Sequence, residues 1–192
     1  SGYSWNDKIT VIDNRFISER INQLRNWNIN FIQGDILDKD LIKKHCQDAD
    51  IVHHLAGVTD VPRVKSESSP EKEDLINKVA EEGTQNILDV ISDKCKIIMP
   101  SSHVVYEGLE SIKKDISENE KTCPVLSYGK SKDINENQLK KSGKNFIILR
   151  LGSVYGYSTD TSRIDIMANF FAKTASQNGT LRLFAGGSKL KV

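Results

Sequence analysis

Cysteine is scarce in this chain. Only Cys46, Cys95 and Cys123 occur in 192 residues, odd in number, far apart and without a C-x-x-C pair. That pattern argues against a disulfide framework and against a zinc site, and it fits a reducing cytoplasm. Long hydrophobic runs are missing as well. No apolar stretch reaches the ~18 residues that a membrane-spanning helix needs, and the opening SGYSWNDK has no basic flank followed by an apolar core, so it does not read as an export signal. Nor is one sign of charge in excess. Lys and Arg number 27 against 26 Asp and Glu, a formal net charge of +1, and the pairs Lys43-Lys44, Lys113-Lys114 and Lys140-Lys141 are interleaved with acids. This balance leaves no basic surface for nucleic acid or for a membrane. There is no repeat, linker or low-complexity segment, and the 38% hydrophobic and 28% charged fractions are those of a globular domain or of part of a larger one.

What is present is an alternation of short β-branched runs with longer helical patterns. ITVI (9–12), INFI (29–32), IVHHL (51–55), KIIM (96–99), FIILR (146–150) and LRLF (181–184) read as strands, the middle ones apolar enough to be buried on both faces of a sheet. Ser69-Pro70-Glu71 combines an N-cap, a proline at the first helical position and an acid in the first turn, and it opens a long helix to about Ser92. Other helices are expected over about 17–26, 39–47, 127–142 and 163–177. Strand, helix, strand in repetition implies an α/β fold, a mostly parallel sheet covered by helices on both sides.

In such sheets ligands bind beyond the carboxyl ends of the strands. The first strand ends in VIDN. Asp13 there is the residue type that accepts hydrogen bonds from an adenosine ribose and repels the additional phosphate of NADP, and it reads equally well as a turn acid. In QGDILD, Asp35 can receive an adenine amino group, whereas Asp38 reads as a helix cap. HHLAG ends in Ala56 and Gly57, small enough for a cofactor to approach the backbone. MPSSHVVYEG carries Ser101 and Ser102 to the rim of the sheet, where a hydroxyl either binds a substrate hydroxyl or simply ends the strand. In LSYGKSK (126–132), Tyr128 and Lys132 stand four positions apart at a helix start, on one face of one turn. A free tyrosine deprotonates near pH ~10, and a neighbouring ammonium favours its phenolate. Of the five tyrosines Tyr128 alone has a lysine four residues on, a spacing that chance readily supplies, so the surroundings decide its meaning. His53 and His54 do not read as a metal site, because strand neighbours face opposite ways and no acid or cysteine pattern completes a ligand set. SSHVVY is no nucleophile elbow, since it lacks G-x-S-x-G.

Taken in order, Asp13 in VIDN, Asp35-Ile36 in GDILD, HLAG (54–57), EGTQNIL (82–88), SSHVVYEG, YGKSK and LRLGSVYG give the chain a resemblance to the extended short-chain dehydrogenase/reductase family, the NAD-dependent nucleotide-sugar epimerases and dehydratases, from about Ile9 to Lys191. Each motif alone is weak; the ordered set is specific. The resemblance implies a Rossmann-like, doubly wound parallel sheet. It implies NAD as cofactor, held by Asp13, Asn14, Asp35, Ile36, Leu55, Ala56 and Gly57 together with Tyr128 and Lys132. It makes Tyr128 the catalytic acid/base, gives Lys132 the task of lowering its pKa and holding the nicotinamide ribose, and has Ser102 orient the substrate hydroxyl. Ser102, His103, Ser153 and Lys191 are the implied substrate-binding residues, Lys191 near a sugar diphosphate. The expected activity is epimerisation of a nucleotide-activated sugar through a transient keto form. The alternatives are an NAD-dependent reductase or dehydrogenase of another alcohol, steroid-like or flavonoid-like, and an inactive binding or regulatory homologue. Helices at about 71–92 and 127–142 resemble those that pair in family dimers, which makes a homodimer an alternative to the simpler reading that they bury their own core face.

The chain also departs from the family's pattern. A G-x-x-G-x-x-G phosphate loop is expected about 18 to 24 residues before Asp13, and the chain starts twelve residues before it. The loop and the family's first strand are therefore expected to be missing, as is most of the C-terminal substrate lobe, leaving 1–192 a single, incomplete NAD-binding domain, inactive as a fragment. That strand is central in the order 3-2-1-4-5-6, so a gap is expected between ITVI and IVHHL, with backbone groups unpaired across it. Ala80 stands where relatives have an asparagine, with Asn77 one turn earlier, and Ser153 stands where many have a substrate-binding asparagine. His103-Val104 replace the Asp-Glu pair of the sugar dehydratases, which favours an epimerase or a simple oxidoreductase.

Overall fold

A computed structural model describes residues 8–58, 69–111, 115–157 and 166–183. Five strands and five helices follow in alternation: β1 (Thr10–Asp13), α1 (Ser18–Asn26), β2 (Asn30–Gln33), α2 (Lys39–Cys46), β3 (Ile51–His53), α3 (Pro70–Val90), β4 (Lys96–Ser102), α4 (Ser127–Lys141), β5 (Asn145–Leu151) and α5 (Met167–Ser176), with a 3₁₀ turn at His103–Tyr106. The chain divides into two compact units, residues 1–150 and 151–192.

Local chemistry explains the helix starts. Asp38 caps α2, its Oδ1 accepting from Leu41 N at 3.0 Å. Ser69 caps α3, its Oγ accepting from Lys72 N at 3.3 Å, and Pro70 opens the first turn, where its missing N–H costs nothing. Along α3 the buried residues Ile76, Ala80, Gly83, Thr84, Ile87 and Leu88 recur at helical spacing and form one inward stripe. That stripe meets Ile42 of α2, Ile97 and Met99 of β4 and Leu139 of α4, with Ile91 and Cys95, in the main core cluster of the first unit.

The strands fall into two groups. β1 pairs with β2 in parallel, Thr10 opposite Asn30, while β3, β4 and β5 form a second sheet in which β3 runs parallel to β4 with Ile51 opposite Lys96. Among the described residues the two sheets share no hydrogen-bonded ladder. Buried, unpaired groups are expected beside β3; Ile51 and His53 are instead exposed, so this part of the strand is open to water.

Two expectations need correction. The middle strands are not buried on both faces: β4 is well covered, whereas β5 alternates half-buried and exposed residues, and Ile147 and Leu149 are 41% and 42% exposed. Phe146 and Ile148 of β5 pack against the core cluster, while the alternate residues Ile147 and Leu149 stay open to water. LRLF is not a strand either. Residues 181–183 have no sheet partner and no regular structure, and residue 184 lies outside the described residues.

Candidate functional site

The site begins where α4 meets the end of β4. Gly129, one residue past Tyr128, allows the approach: a Cβ there would come within 3.1 Å of both the Val104 carbonyl oxygen and Pro124 Cβ. The first turn of α4 thus lies directly on the backbone of the 3₁₀ turn that follows Ser102. Ser102 is 9% exposed at the last position of β4, and its Oγ accepts from Val104 N at 3.4 Å. A hydroxyl that accepts in this way keeps its proton for donation.

Tyr128 and Lys132 share one face of α4, and the Lys132 ammonium lies 5.7 Å from the centre of the Tyr128 ring. Burial lowers the pKa of Lys132. A charge near the ring and shielded from water acts on the phenol more strongly than an exposed one would. His54, 4% exposed on the inner side of the sheet, is driven down to about 4, first by burial and then by the Lys132 charge. Its Nε2 lies 2.8 Å from Thr84 Oγ1 of α3, and Asn135 Nδ2 of α4 donates to that same oxygen at 2.7 Å and to the Ala80 carbonyl at 2.8 Å. A neutral imidazole thus ties β3 to α3 and α4 directly behind the tyrosine and lysine.

Four-residue steps continue along α4 to Glu136, which is fully buried. Its Oε1 accepts from Ser101 Oγ at 2.6 Å and from Arg150 Nε at 2.9 Å, and its Oε2 from Arg150 Nη2 at 2.6 Å and Lys140 Nζ at 3.0 Å. Burial by itself would raise this carboxyl. The hydrogen bonds from Arg150, Ser101 and Lys140 overcome it and hold the pKa down to about 2. Arg150 also donates to the Tyr106 hydroxyl and, at 3.0 Å, to the Glu118 carbonyl, its guanidinium lying 5.0 Å from the centre of the Tyr106 ring.

Asp13 ends β1, and Asp35 lies two residues past the end of its neighbour β2. Asp13 Oδ1 accepts from Arg15 N at 2.8 Å, Asp35 Oδ1 from Leu37 N at 2.9 Å, and Asn14 Nδ2 reaches Asp35 Oδ2 at 3.4 Å. Ile36 is used in packing: its side chain fills the space a Cβ on Gly83 would need, with Cγ2 2.8 Å from that position, and its carbonyl accepts from Asn86 Nδ2 at 3.1 Å. Past β3, Leu55 is 67% exposed, and a Cβ on Gly57 would meet nothing within 4 Å. This rim is open, as a site receiving a cofactor against the backbone requires. His103 is the first residue of the 3₁₀ turn, beside Ser102. Ser153 is exposed in the second unit, and Lys191 lies outside the described residues. Within the first unit the structure therefore sets the start of the helix that carries Tyr128 and Lys132 against the turn that follows Ser102 and begins with His103, and joins Asn14, next to Asp13, to Asp35.

Sequence reasoning did not find His54, Thr84 and Asn135 as a set, nor Glu136 with Arg150. The second had a signal, since Tyr128, Lys132, Glu136 and Lys140 recur at steps of four.

Comparisons with known proteins bear on this arrangement. The model of the 3-beta hydroxysteroid dehydrogenase/isomerase family matches residues 4–164. A probable low-salt glycan biosynthesis reductase of Haloferax volcanii, Agl14, is 29% identical over 154 residues, which make up 79% of this chain and 49% of that protein. The chain thus spans about half the length of that relative. Among solved structures, UDP-glucuronic acid 4-epimerase from Bacillus cereus in complex with NAD superposes with a TM-score of 0.72 at 23% identity, over 95% of this chain and 59% of that one. The Bordetella bronchiseptica enzyme WbmG in complex with NAD gives 0.71 at 20% identity, over 92% and 54%. These structures share the Rossmann-like fold.

Proposed function

Since the chain belongs to the 3-beta hydroxysteroid dehydrogenase/isomerase family, within the extended short-chain dehydrogenase/reductases, we propose that the whole protein is an NAD-dependent enzyme that acts on a hydroxyl of a nucleotide-activated sugar, most simply an epimerase. The observation that carries this proposal is the Lys132 ammonium beside the Tyr128 ring, on a helix whose Gly129 rests on the turn after Ser102. The sugar assignment is supported by the fold shared with UDP-sugar epimerases and by a relative described as a glycan biosynthesis reductase.

The open rim at Leu55 to Gly57 and the paired acids Asp13 and Asp35 fit NAD. Asp13 would accept from the adenosine ribose hydroxyls, and its charge disfavours a phosphate there. NAD, when bound, supplies the acceptor for a hydride from the carbinol carbon. The chain's residues do the rest. Ser102 donates its remaining hydrogen bond to hold the substrate oxygen, and the Tyr128 phenolate takes the hydroxyl proton. Lys132 stabilises the phenolate and returns to balance when the proton goes back. The neutral His54 places no competing positive charge beside Lys132. By the resemblance, His103 and Val104 replace the Asp-Glu pair with which sugar dehydratases expel water, which favours oxidation and reduction over dehydration.

A second proposal, favoured by the family match and by a 29% identical Arabidopsis thaliana relative described as a 3beta-hydroxysteroid-dehydrogenase/decarboxylase, is oxidation of a steroid-like alcohol. We assign the protein to a reducing compartment, consistent with three free thiols. Pairing of two copies through α3 and α4 is a further proposal; the outward residues Lys78, Glu82, Gln85, Asp89, Lys130 and Lys141 make that face polar. No helix among the described residues is long and apolar enough to cross a membrane. The test is an assay of the full-length protein with NAD against a panel of UDP-sugars and of diphosphate-free sterols. Turnover of a UDP-sugar supports the first proposal, and turnover of the sterols alone rejects it in favour of the second.

A further inference from the structure

Glu136 is the one charged side chain among the described residues with no exposure at all, and no step assigned to Tyr128, Lys132 or Ser102 requires it. An acid in that position is costly unless its partners are worth the desolvation. Its partners are informative because each comes from a different part of the site. Ser101 is the residue before Ser102 on β4, and Arg150 belongs to β5. Through Nη1 Arg150 also holds Tyr106, the last residue of the 3₁₀ turn, whose hydroxyl donates to the Ser117 carbonyl at 3.2 Å. Glu136 itself is two helical turns along α4 from Tyr128, on the same stripe. One carboxylate thereby joins the strand end that carries Ser102, the turn that follows it and the helix that carries Tyr128 and Lys132. With no side chain at Gly129 the helix and that turn meet closely, and the buried clamp sets how they register.

We propose that Glu136 is a positioning residue, whose bonds to Ser101 and Arg150 fix the separation between the Ser102 hydroxyl and the Tyr128 phenol. This rests on Tyr128 and Ser102 being the reacting pair. A bidentate arginine and a hydroxyl on one carboxylate resist both sliding and rotation, which a packed apolar contact does not. The Tyr128–Lys132 relation, within one helix, is untouched by the clamp. What the clamp governs is the distance across elements, and a misplacement of about an ångström there is enough to slow a reaction severely.

The experiment uses Ser101→Ala, which removes the strand's tie and leaves Glu136 its arginine and lysine, with Glu136→Gln as second variant. Hydrogen exchange read by mass spectrometry requires no turnover. With the clamp weakened, exchange should rise about tenfold in segments 102–107 and 126–131 and stay unchanged in 10–26. No change, or an even rise across all segments, overturns the proposal, since either result makes Glu136 inert or a contributor to global stability only. In the full-length enzyme, Ser101→Ala should lower kcat about tenfold with KM for NAD within about twofold, and should have no further effect in a Ser102→Ala background. Additive losses in the double variant would contradict it. Absence of turnover in the wild-type enzyme would instead remove the catalytic proposal, while the exchange result still decides whether the clamp exists.

Discussion

Glu136 keeps its charge where water does not reach, and this sets how the protein responds to acid. Its carboxyl is held at about 2 in the folded chain, against an ordinary value of 4.5. The folded pKa is depressed, so its contribution to stability is complete above the unfolded value and is lost as pH falls through the interval down to about 2. Chemical denaturation at pH 6 and at pH 3 should show the wild-type protein losing stability across that interval, and Glu136→Gln losing distinctly less. An equal loss in the two would show that other carboxylates govern the acid limb. Lys132 allows a second test. Its stem is buried and only its ammonium is chemically special, so Lys132→Met should keep the melting temperature within a few degrees while lowering turnover about a hundredfold. At this scale the sequence is legible where chemistry is local. Asp38 and Ser69 cap helices three residues ahead and can be read directly from spacing. Glu136 is not readable in the same way, because its partners Ser101 and Arg150 are 35 and 14 positions away and only the fold brings them together.

Among the elements, the 3₁₀ turn and the segment before α4 are held by a short pairing, Gly108 N to Cys123 O at 2.8 Å and Cys123 N to Val105 O at 2.7 Å. A Cβ on Gly108 would stand 2.5 Å from the Cys123 carbonyl oxygen and 2.8 Å from its sulfur. Backbone cannot yield as a side chain can, so Gly108→Ala should cost ~1–3 kcal/mol in a denaturant titration. Gly34→Ala, where the opposing atom is a Leu41 methyl that can turn away, should cost less. Equal costs would mean that the Cys123 segment is not held where the pairing puts it. Five of the six expected strands and all five expected helices form. LRLF carries the same apolar alternation as the true strands. At residues 181–183 it has no regular structure all the same, since apolar alternation alone does not supply a neighbouring strand. Burial of β5 on both faces was misread for a related reason: composition shows that a strand tolerates cover on each side, while only the neighbouring layers show whether the cover exists.

At the scale of the molecule, the first unit has an uneven interior. The core cluster draws on α2, α3, β4 and α4, whereas in α1 a single residue, Ile21, is buried, and β1 and β2 contain none. Among the described residues the two sheets do not share a ladder. Native-state exchange should therefore show the amides of β1 and β2 opening at lower free energy than those of β4 and α3. Coincident opening would show that the unit unfolds as one. The close fit of Ile36 against Gly83 was not legible in the sequence, because shape complementarity leaves no periodic trace. What the architecture keeps in register is the meeting of α4 with the end of β4, and on it the catalytic account depends. The most direct test is Tyr128→Phe in the full-length protein, with NAD binding followed by fluorescence and turnover followed on the proposed class of substrate, a nucleotide-activated sugar. The account predicts NAD affinity within about threefold of wild type and turnover reduced by at least about a thousandfold. Turnover within about tenfold of wild type would contradict it.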